Sequence, residues 1–138
     1  MTIVEKYLFL GVLTFAIFSI NRGFATELQQ SQDVFVPLEK YIAKGDAEAL
    51  ASWFNTSLEV DILGKTSISS KQQAKQILKD FFSENTPKSF SFTFRGGKVP
   101  MKYAVGSLNA GGSKFRVIVF VKTTAEGNHI EQIRIEKE

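Results

Sequence analysis

The part of the chain after residue 87 constrains the fold most, because apolar and polar residues alternate there in one segment after another. Alternation with a period of two is typical of strands that bury one face, and glycine-containing pairs between the segments predict tight turns. The segments span residues 88–95, 101–109, 114–123 and 128–136. We therefore expect an antiparallel meander of four strands, with Phe90, Phe92 and Phe94 on one buried face of the first strand.

Helical patterns precede this meander. Apolar residues recur at spacings of three and four after Asp33, after Asp46 and after Ser70, and the residues that begin at Ser70 form a capping box. Between the second and third helices, residues 58–62 and 66–69 predict a hairpin. This order predicts an α+β fold, in which three N-terminal helices pack on one face of a strongly curved, mainly antiparallel sheet of about six strands.

An apolar run of fourteen residues, 7–20, lies near the N-terminus between Lys6 and Arg22. A membrane-spanning helix needs about 20 apolar residues, whereas the hydrophobic region of a secretory signal peptide needs about 7–15. The length of the run therefore favours a signal peptide. An uncleaved N-terminal anchor is the alternative.

Small residues at Gly23 and Ala25 suit a signal peptidase. We therefore expect a signal peptide at residues 1–25, a flexible leader at 26–32 and a single domain at 33–138. The processed protein is then exported, either to the periplasm or to the medium, and has no membrane span.

The composition removes several classes of site. The chain has no cysteine and one histidine, His129, so thiol nucleophiles, disulfides, thiolate zinc sites and multi-histidine metal sites are excluded. His129 follows a turn, and the chain has no Gly-x-Ser-x-Gly motif. We expect no catalytic residue, no metal and no cofactor. The net charge of +3 is small, and we expect no nucleic-acid partner.

Four short stretches carry a resemblance to known proteins. They are KGDA at 44–47, AKQILKDFF at 74–82, YAVG at 103–106 and IRIE at 133–136. They are similar to a secreted bacterial family of unknown function, domain of unknown function 4783, found mostly in Bacteroidota. The order of the elements also resembles the wider nuclear transport factor two-like (NTF2-like), or cystatin-like, superfamily. That superfamily includes isomerases, dehydratases and non-enzymatic binding domains, so the resemblance implies a cone-shaped fold and no particular activity.

A conical fold implies an apolar mouth in which a ligand is held by aromatic walls and a few polar groups. The residues that we select for such a ligand-binding pocket are Trp53, Phe54, Asp61, Tyr103 and Arg134. Arg134 faces either the interior or the outer surface of the sheet. We expect a non-enzymatic binding domain for a small amphipathic ligand or an envelope protein. In the alternative, Asp61 is buried opposite a tyrosine and serves an isomerase or dehydratase as its base.

The strand at 114–123 has apolar residues on both faces, because Ile118 and Phe120 point away from the neighbouring valines. A central strand whose second face meets water should be polar on that face. We therefore expect a second subunit to cover it and form a homodimer, with scattered surface apolar residues as the alternative. A purely structural interaction module that uses this face is a third hypothesis for the function.

Overall fold

The computed structural model describes residues 33–138, so the predicted signal peptide and leader lie outside the described residues. The helices are α1 (Phe35–Lys44), α2 (Ala47–Ala51) and α3 (Lys71–Glu84). The strands are β1 (Phe54–Ile62), β2 (Lys65–Ser70), β3 (Pro87–Lys98), β4 (Met101–Ala110), β5 (Ser113–Thr124) and β6 (Gly127–Lys137).

The six strands form one sheet in the order β2-β1-β6-β5-β4-β3. Neighbouring strands are antiparallel except β1 and β6, which run parallel. The last strand of the meander, β6, lies beside β1 and runs in the same direction, and it thereby joins the meander β3–β6 to the hairpin β1–β2 in one sheet. The predicted α+β fold, with helices on one face of a mainly antiparallel sheet, is confirmed.

Phenylalanine rings fill much of the space between the helices and the sheet. Phe92 of β3 contacts Phe35 of α1 edge to face at 5.5 Å between ring centroids, and Phe90 at 4.9 Å. Phe81 of α3 contacts Phe115 of β5 in the same way at 5.2 Å. Among residues 33–138, Ser69 is the buried polar residue. The interior is therefore a packed apolar core rather than a polar cavity.

The prediction that Phe94 shares the buried face of Phe90 and Phe92 is wrong. Phe92 pairs with Gly106, whereas Phe94 pairs with Val105, so β3 carries one extra residue, Thr93, at this point. Such a β-bulge shifts the alternation by one position and turns the following side chain to the other face. Phe94 consequently lies on the outer face, where it is 54% exposed.

The capping box predicted at the start of the third helix is present. Ser70 Oγ accepts a hydrogen bond from Gln73 N at 3.2 Å, and Gln73 Oε1 accepts one from Ser70 N at 3.1 Å. The two bonds satisfy backbone N–H groups that have no partner within the helix.

Replacing Ser70 by alanine is expected to lower the free energy of unfolding by about 1 kcal/mol, because the first turn of α3 loses its cap. Urea denaturation of the two proteins measures this difference. Ser83→Ala is the matched control, since Ser83 is exposed on the same helix and lies outside its first turn. Equal stability of the two variants would contradict the capping role.

Candidate functional site

A cleft of about 450 Å³ lies between α3 and the β1–β2 hairpin. Its apolar walls come from Val60 and Ile62 of β1 and from Ile77 and Phe81 of α3. The polar residues that line it are Lys65, Thr66, Ser67, Asp80, Glu84 and Asn85. Small-molecule sites have volumes of about 300–1,000 Å³ and combine apolar walls with a few polar groups, so this cleft has the size and composition of a ligand site.

The cleft exists because β2 carries small or flexible side chains where it faces α3. Lys65, Ser67 and Ser69 occupy those positions, since they pair with residues of β1 that point inward. Ser67 and Ser69 hydrogen-bond to each other through their hydroxyl groups at 2.9 Å. Large apolar side chains at these positions would fill the space below the helix. With serines there, the space stays open.

The hairpin that forms one wall has a two-residue turn. Leu63 and Gly64 connect Ile62 to Lys65, and their φ angles are 53° and 88°. Two successive positive φ angles are typical of a type I′ turn, whose twist matches that of the paired strands. Leu63 N also donates a hydrogen bond to Ile135 O at 2.9 Å, which ties the turn to β6.

Charged groups of both signs surround the opening of the cleft. Asp80 and Glu84 lie one turn apart on α3 and are exposed, and Lys65 is exposed on the hairpin. Asp80 Oδ1 accepts a hydrogen bond from Gln76 Nε2 at 2.8 Å. An apolar floor below a charged rim suits a ligand that has both an apolar body and a polar head group.

The residues selected from the sequence do not line this cleft. Phe54 is 1% exposed and belongs to the core, and Trp53 is half-buried at the end of α2, where its backbone O accepts a hydrogen bond from Ile130 N at 2.6 Å. The structure places Asp61, Tyr103 and Arg134 on the opposite, outer face of the sheet. Asp61 and Arg134 are neighbours there, whereas Tyr103 lies two strands away from Arg134. A ligand-binding role for these five residues stays a prediction.

Asp61 and Arg134 form an ion pair on the outer face, with 3.5 Å between Oδ2 and Nε. Arg134 Nη1 also lies 3.8 Å from Glu136, which in turn lies 3.7 Å from Arg116. The Asp61 side chain is 17% exposed. The enzyme hypothesis requires this acid inside the cone, whereas the register of β1 directs it to the outer face beside a cation.

Three aromatic rings form a strip on the same outer face, and we call Phe94, Tyr103 and Phe120 the outer aromatic strip. Tyr103 lies between the other two rings, at 5.9 Å from Phe94 and 5.5 Å from Phe120. Val105 and Ile118 lie beside the strip and are half-buried. The outward orientation of Ile118 and Phe120, expected from the two-sided apolar strand, is confirmed.

Sequence reasoning missed the cleft. The sequence of the third helix did indicate one wall of the cleft. Ile77 and Phe81 are four residues apart, and Asp80 and Glu84 are also four residues apart. Such spacing places an apolar stripe directly beside an acidic one. The other wall could not be predicted, because the register of the hairpin must be known before Ser67 and Ser69 can be assigned to the inward face of β2.

The described residues were also examined for metal-binding clusters and for membrane-spanning helices. Within residues 33–138, no group of three or more acidic or histidine side chains is placed to hold a metal ion. None of the helices in this described part is long and apolar enough to cross a membrane.

Comparison with known proteins supports the fold. The model of a domain of unknown function, DUF4783, matches residues 35–136. A DUF4783 protein from Bacteroides uniformis is 24% identical over 77% of this chain and 98% of its own, with a TM-score of 0.73. No curated protein matches the chain.

Two more distant structures extend the similarity in fold. An NTF2-like protein of unknown function from Silicibacter pomeroyi is 14% identical over 83% of this chain and 98% of its own, with a TM-score of 0.58. A domain of unknown function with a cystatin-like fold from Nostoc punctiforme is 11% identical over 72% of this chain and 70% of its own, also with a TM-score of 0.58. At these identities the comparison supports the fold alone.

Proposed function

The chain belongs to the DUF4783 family of domains of unknown function, and we propose that it is an exported, non-enzymatic binding domain that holds a small amphipathic ligand. The observation that carries this proposal is the cleft between α3 and the β1–β2 hairpin, which combines apolar walls with a charged rim. The apolar body of the ligand packs against Ile77 and Phe81 and is thereby shielded from water. Its polar head group remains at the rim, where Lys65 and Asp80 lie.

The positions of the acidic residues favour binding over conversion. General acid–base chemistry needs a titratable group held close to the reacting atoms in a site that excludes water. Asp80 and Glu84, the acids that line the cleft, are both exposed at its rim, and Asp61 lies on the other side of the sheet. The cleft therefore offers a surface for recognition and no buried acid for catalysis.

Export is part of the proposal and is supported by the sequence of residues 7–20. The apolar run is shorter than a membrane span and is followed by small residues at Gly23 and Ala25. Expression of the full chain in a bacterium, followed by mass spectrometry of the periplasmic fraction, tests it. We expect a chain that begins at Thr26. A retained N-terminus in the membrane fraction would contradict export.

Binding to the cleft is tested with a defined amphipathic probe, 1-anilinonaphthalene-8-sulfonate, followed by its fluorescence. Ile77→Gln places an amide in the apolar wall and is expected to weaken probe binding about tenfold, the effect of losing about 1.4 kcal/mol of apolar contact. Circular dichroism and thermal denaturation verify that the variant is folded.

Ile68→Gln is the matched control for this experiment. Ile68 is an isoleucine of the adjacent strand β2, but it pairs with Glu59 and lies on the outer face, where it is 72% exposed. We expect wild-type affinity for the probe in this variant. Equal weakening by the two substitutions, or no weakening by Ile77→Gln, would place the probe elsewhere and contradict the proposal.

A second candidate function is interaction with another protein through the outer face of the sheet. The observation that favours it is the outer aromatic strip, in which Phe94 is 54% exposed although it is large and apolar. Exposed apolar patches of this kind mark protein–protein contacts. The partner is either an envelope protein or, in a homodimer, a second copy of this chain.

A further inference from the structure

We infer that the ligand of the cleft is an extended peptide whose backbone pairs with the open edge of β2. One side chain of the peptide then packs against Ile77, and a basic side chain two residues away lies beside Asp80 and Glu84. This inference rests on the proposed function of the cleft and deepens it by naming the class of ligand. It is carried by the open edge of β2, by the position of that edge beside the cleft and by the charge of α3.

The sheet has two edges, β2 and β3, and the fold blocks β3 at several points. Glu39 of α1 accepts a hydrogen bond from Phe92 N at 2.8 Å, the bulge at Thr93 interrupts the strand, and Pro87 is its first residue. Covering elements, bulges and prolines are usual means of preventing an edge strand from pairing. In contrast, the six residues of β2 include no proline and pair with β1 without a register shift.

The backbone groups that face the open edge of β2 belong to Thr66 and Ile68. In an antiparallel pair, alternate residues of a strand bond to the partner strand. Lys65 closes the turn opposite Ile62 and bonds to β1, as do the residues two and four positions further on. The N–H and C=O groups of Thr66 and Ile68 therefore point away from β1. Both residues are exposed, and within residues 33–138 these four groups have no hydrogen-bond partner.

An extended peptide offers donors and acceptors with the same alternation, so its backbone completes the ladder at this edge. Proteins that bind peptides in this way select the alternate side chains with pockets beside the edge. Here β2 borders the cleft, because Lys65, Thr66 and Ser67 line it. A strand added to β2 lies about 4.8 Å further out, and every second side chain projects from the face that carries α3.

The side of α3 that lines the cleft determines which of these side chains fit. Ile77, Asp80 and Glu84 are spaced by three and four residues and so share one side of the helix. Ile77 is half-buried and provides an apolar contact. Asp80 and Glu84 are exposed, and neither forms an ion pair with another residue of the described domain. A lysine or arginine of the peptide supplies the opposite charge.

Selection from a phage-displayed library of random peptides about nine residues long, enough for one strand, provides the probe. We expect enrichment of peptides in which a lysine or arginine lies two residues from an apolar residue. Fluorescence anisotropy then measures the dissociation constant of a selected peptide. A selection without enrichment over a surface that lacks the protein would overturn the inference.

Methylation of single amide nitrogens in the selected peptide tests the pairing of the backbone. Only alternate N–H groups of an added strand face β2. Methylation of those nitrogens is expected to raise the dissociation constant about tenfold or more, and methylation of the nitrogens between them by less than about threefold. Effects without this period of two would overturn the inference.

Ile68→Pro removes one N–H group from the open edge and places a ring there. Proline is tolerated at such a position, since this N–H is not bonded to β1. The variant is expected to raise the dissociation constant about tenfold or more, with circular dichroism to verify folding. Ile68→Gln is the matched control, because it also removes the exposed side chain but keeps the N–H, and a change of less than about threefold is expected. Equal effects of the two substitutions would overturn the inference.

The 1-anilinonaphthalene-8-sulfonate experiment distinguishes this inference from the proposed function. Ile68→Pro leaves the walls of the cleft unchanged and is expected to bind that probe like the wild type. Probe binding in the cleft without peptide binding at β2 would overturn the peptide inference alone. An unchanged probe affinity in Ile77→Gln would contradict the proposed function instead. Self-association of the protein that Ile68→Pro prevents would assign the edge to a second copy and overturn the inference.

Discussion

Replacing Phe54 by alanine is expected to lower the free energy of unfolding by about 3–5 kcal/mol, the cost of removing a large aromatic side chain from a packed core. Phe54 begins β1 and is among the largest side chains that are fully buried. A cavity remains after the substitution because the surrounding side chains relax only in part. The loss is a large fraction of the 5–15 kcal/mol that stabilises an ordinary domain.

Thermal denaturation followed by circular dichroism measures this effect, with an expected fall in Tm of about 15 °C or more. Phe94→Ala is the control, because the ring of Phe94 is already half-exposed. It should cost less than about 1 kcal/mol in the monomer. Comparing the two variants also decides whether Phe54 stabilises the core or, as predicted from the sequence, contacts a ligand. A stable Phe54→Ala variant with impaired probe binding would contradict its structural role.

Replacing Gly106 by alanine is expected to lower the free energy of unfolding by about 3 kcal/mol, the upper part of the usual range for overpacking. A Cβ atom at this position would lie 2.5 Å from Cζ of Phe90 and 2.6 Å from the backbone O of Ser91. The ring is confined by the core and the carbonyl belongs to the neighbouring strand. Neither moves without separating β3 from β4.

Gly96→Ala is the control for this second effect. Its Cβ would also meet a ring, that of Tyr103 at 2.6 Å. That ring belongs to the outer aromatic strip and has solvent on one side, so it moves outward at lower cost. We expect Gly96→Ala to be destabilised by less than half as much as Gly106→Ala in urea denaturation. Equal losses would show that the core around Phe90 is no more confined than the surface.

The order of the elements was predictable because it depends on local patterns. The capping box at Ser70, the alternation in β1 and the Gly111-Gly112 turn between β4 and β5 each depend on a few neighbouring residues. The turn expected at Gly96 and Gly97 is wrong, because both glycines lie within β3 and the chain turns at Val99 and Pro100 instead. The position of Phe94 was not predictable, because the bulge at Thr93 appears only when β3 is paired with β4. One extra residue moves every later side chain of the strand to the opposite face, and the local sequence does not show where such a bulge occurs.

The candidate pocket was harder to predict than the fold, and β4 illustrates the reason. In its first half Tyr103 and Val105 point outward, while the small residues Ala104 and Gly106 point inward. Phenylalanine rings from β3 and the helices need that inward space. The expectation of aromatic walls in a conical pocket therefore assigned Tyr103 to the interior. For Asp61, the alternation of the apolar Val60 and Ile62 with acidic residues was a usable signal in the sequence that its side chain points outward.

Assignment of the binding surface by NMR tests the central claim most directly. Titration of the 15N-labelled domain with 1-anilinonaphthalene-8-sulfonate is expected to shift the amide signals of Ser67, Ile77 and Phe81, which line the cleft. The signals of Tyr103 and Ile118 on the outer face are expected to remain in place. Shifts confined to the outer face, or no saturable shift in the cleft, would contradict a ligand-binding role for the space between α3 and the β1–β2 hairpin.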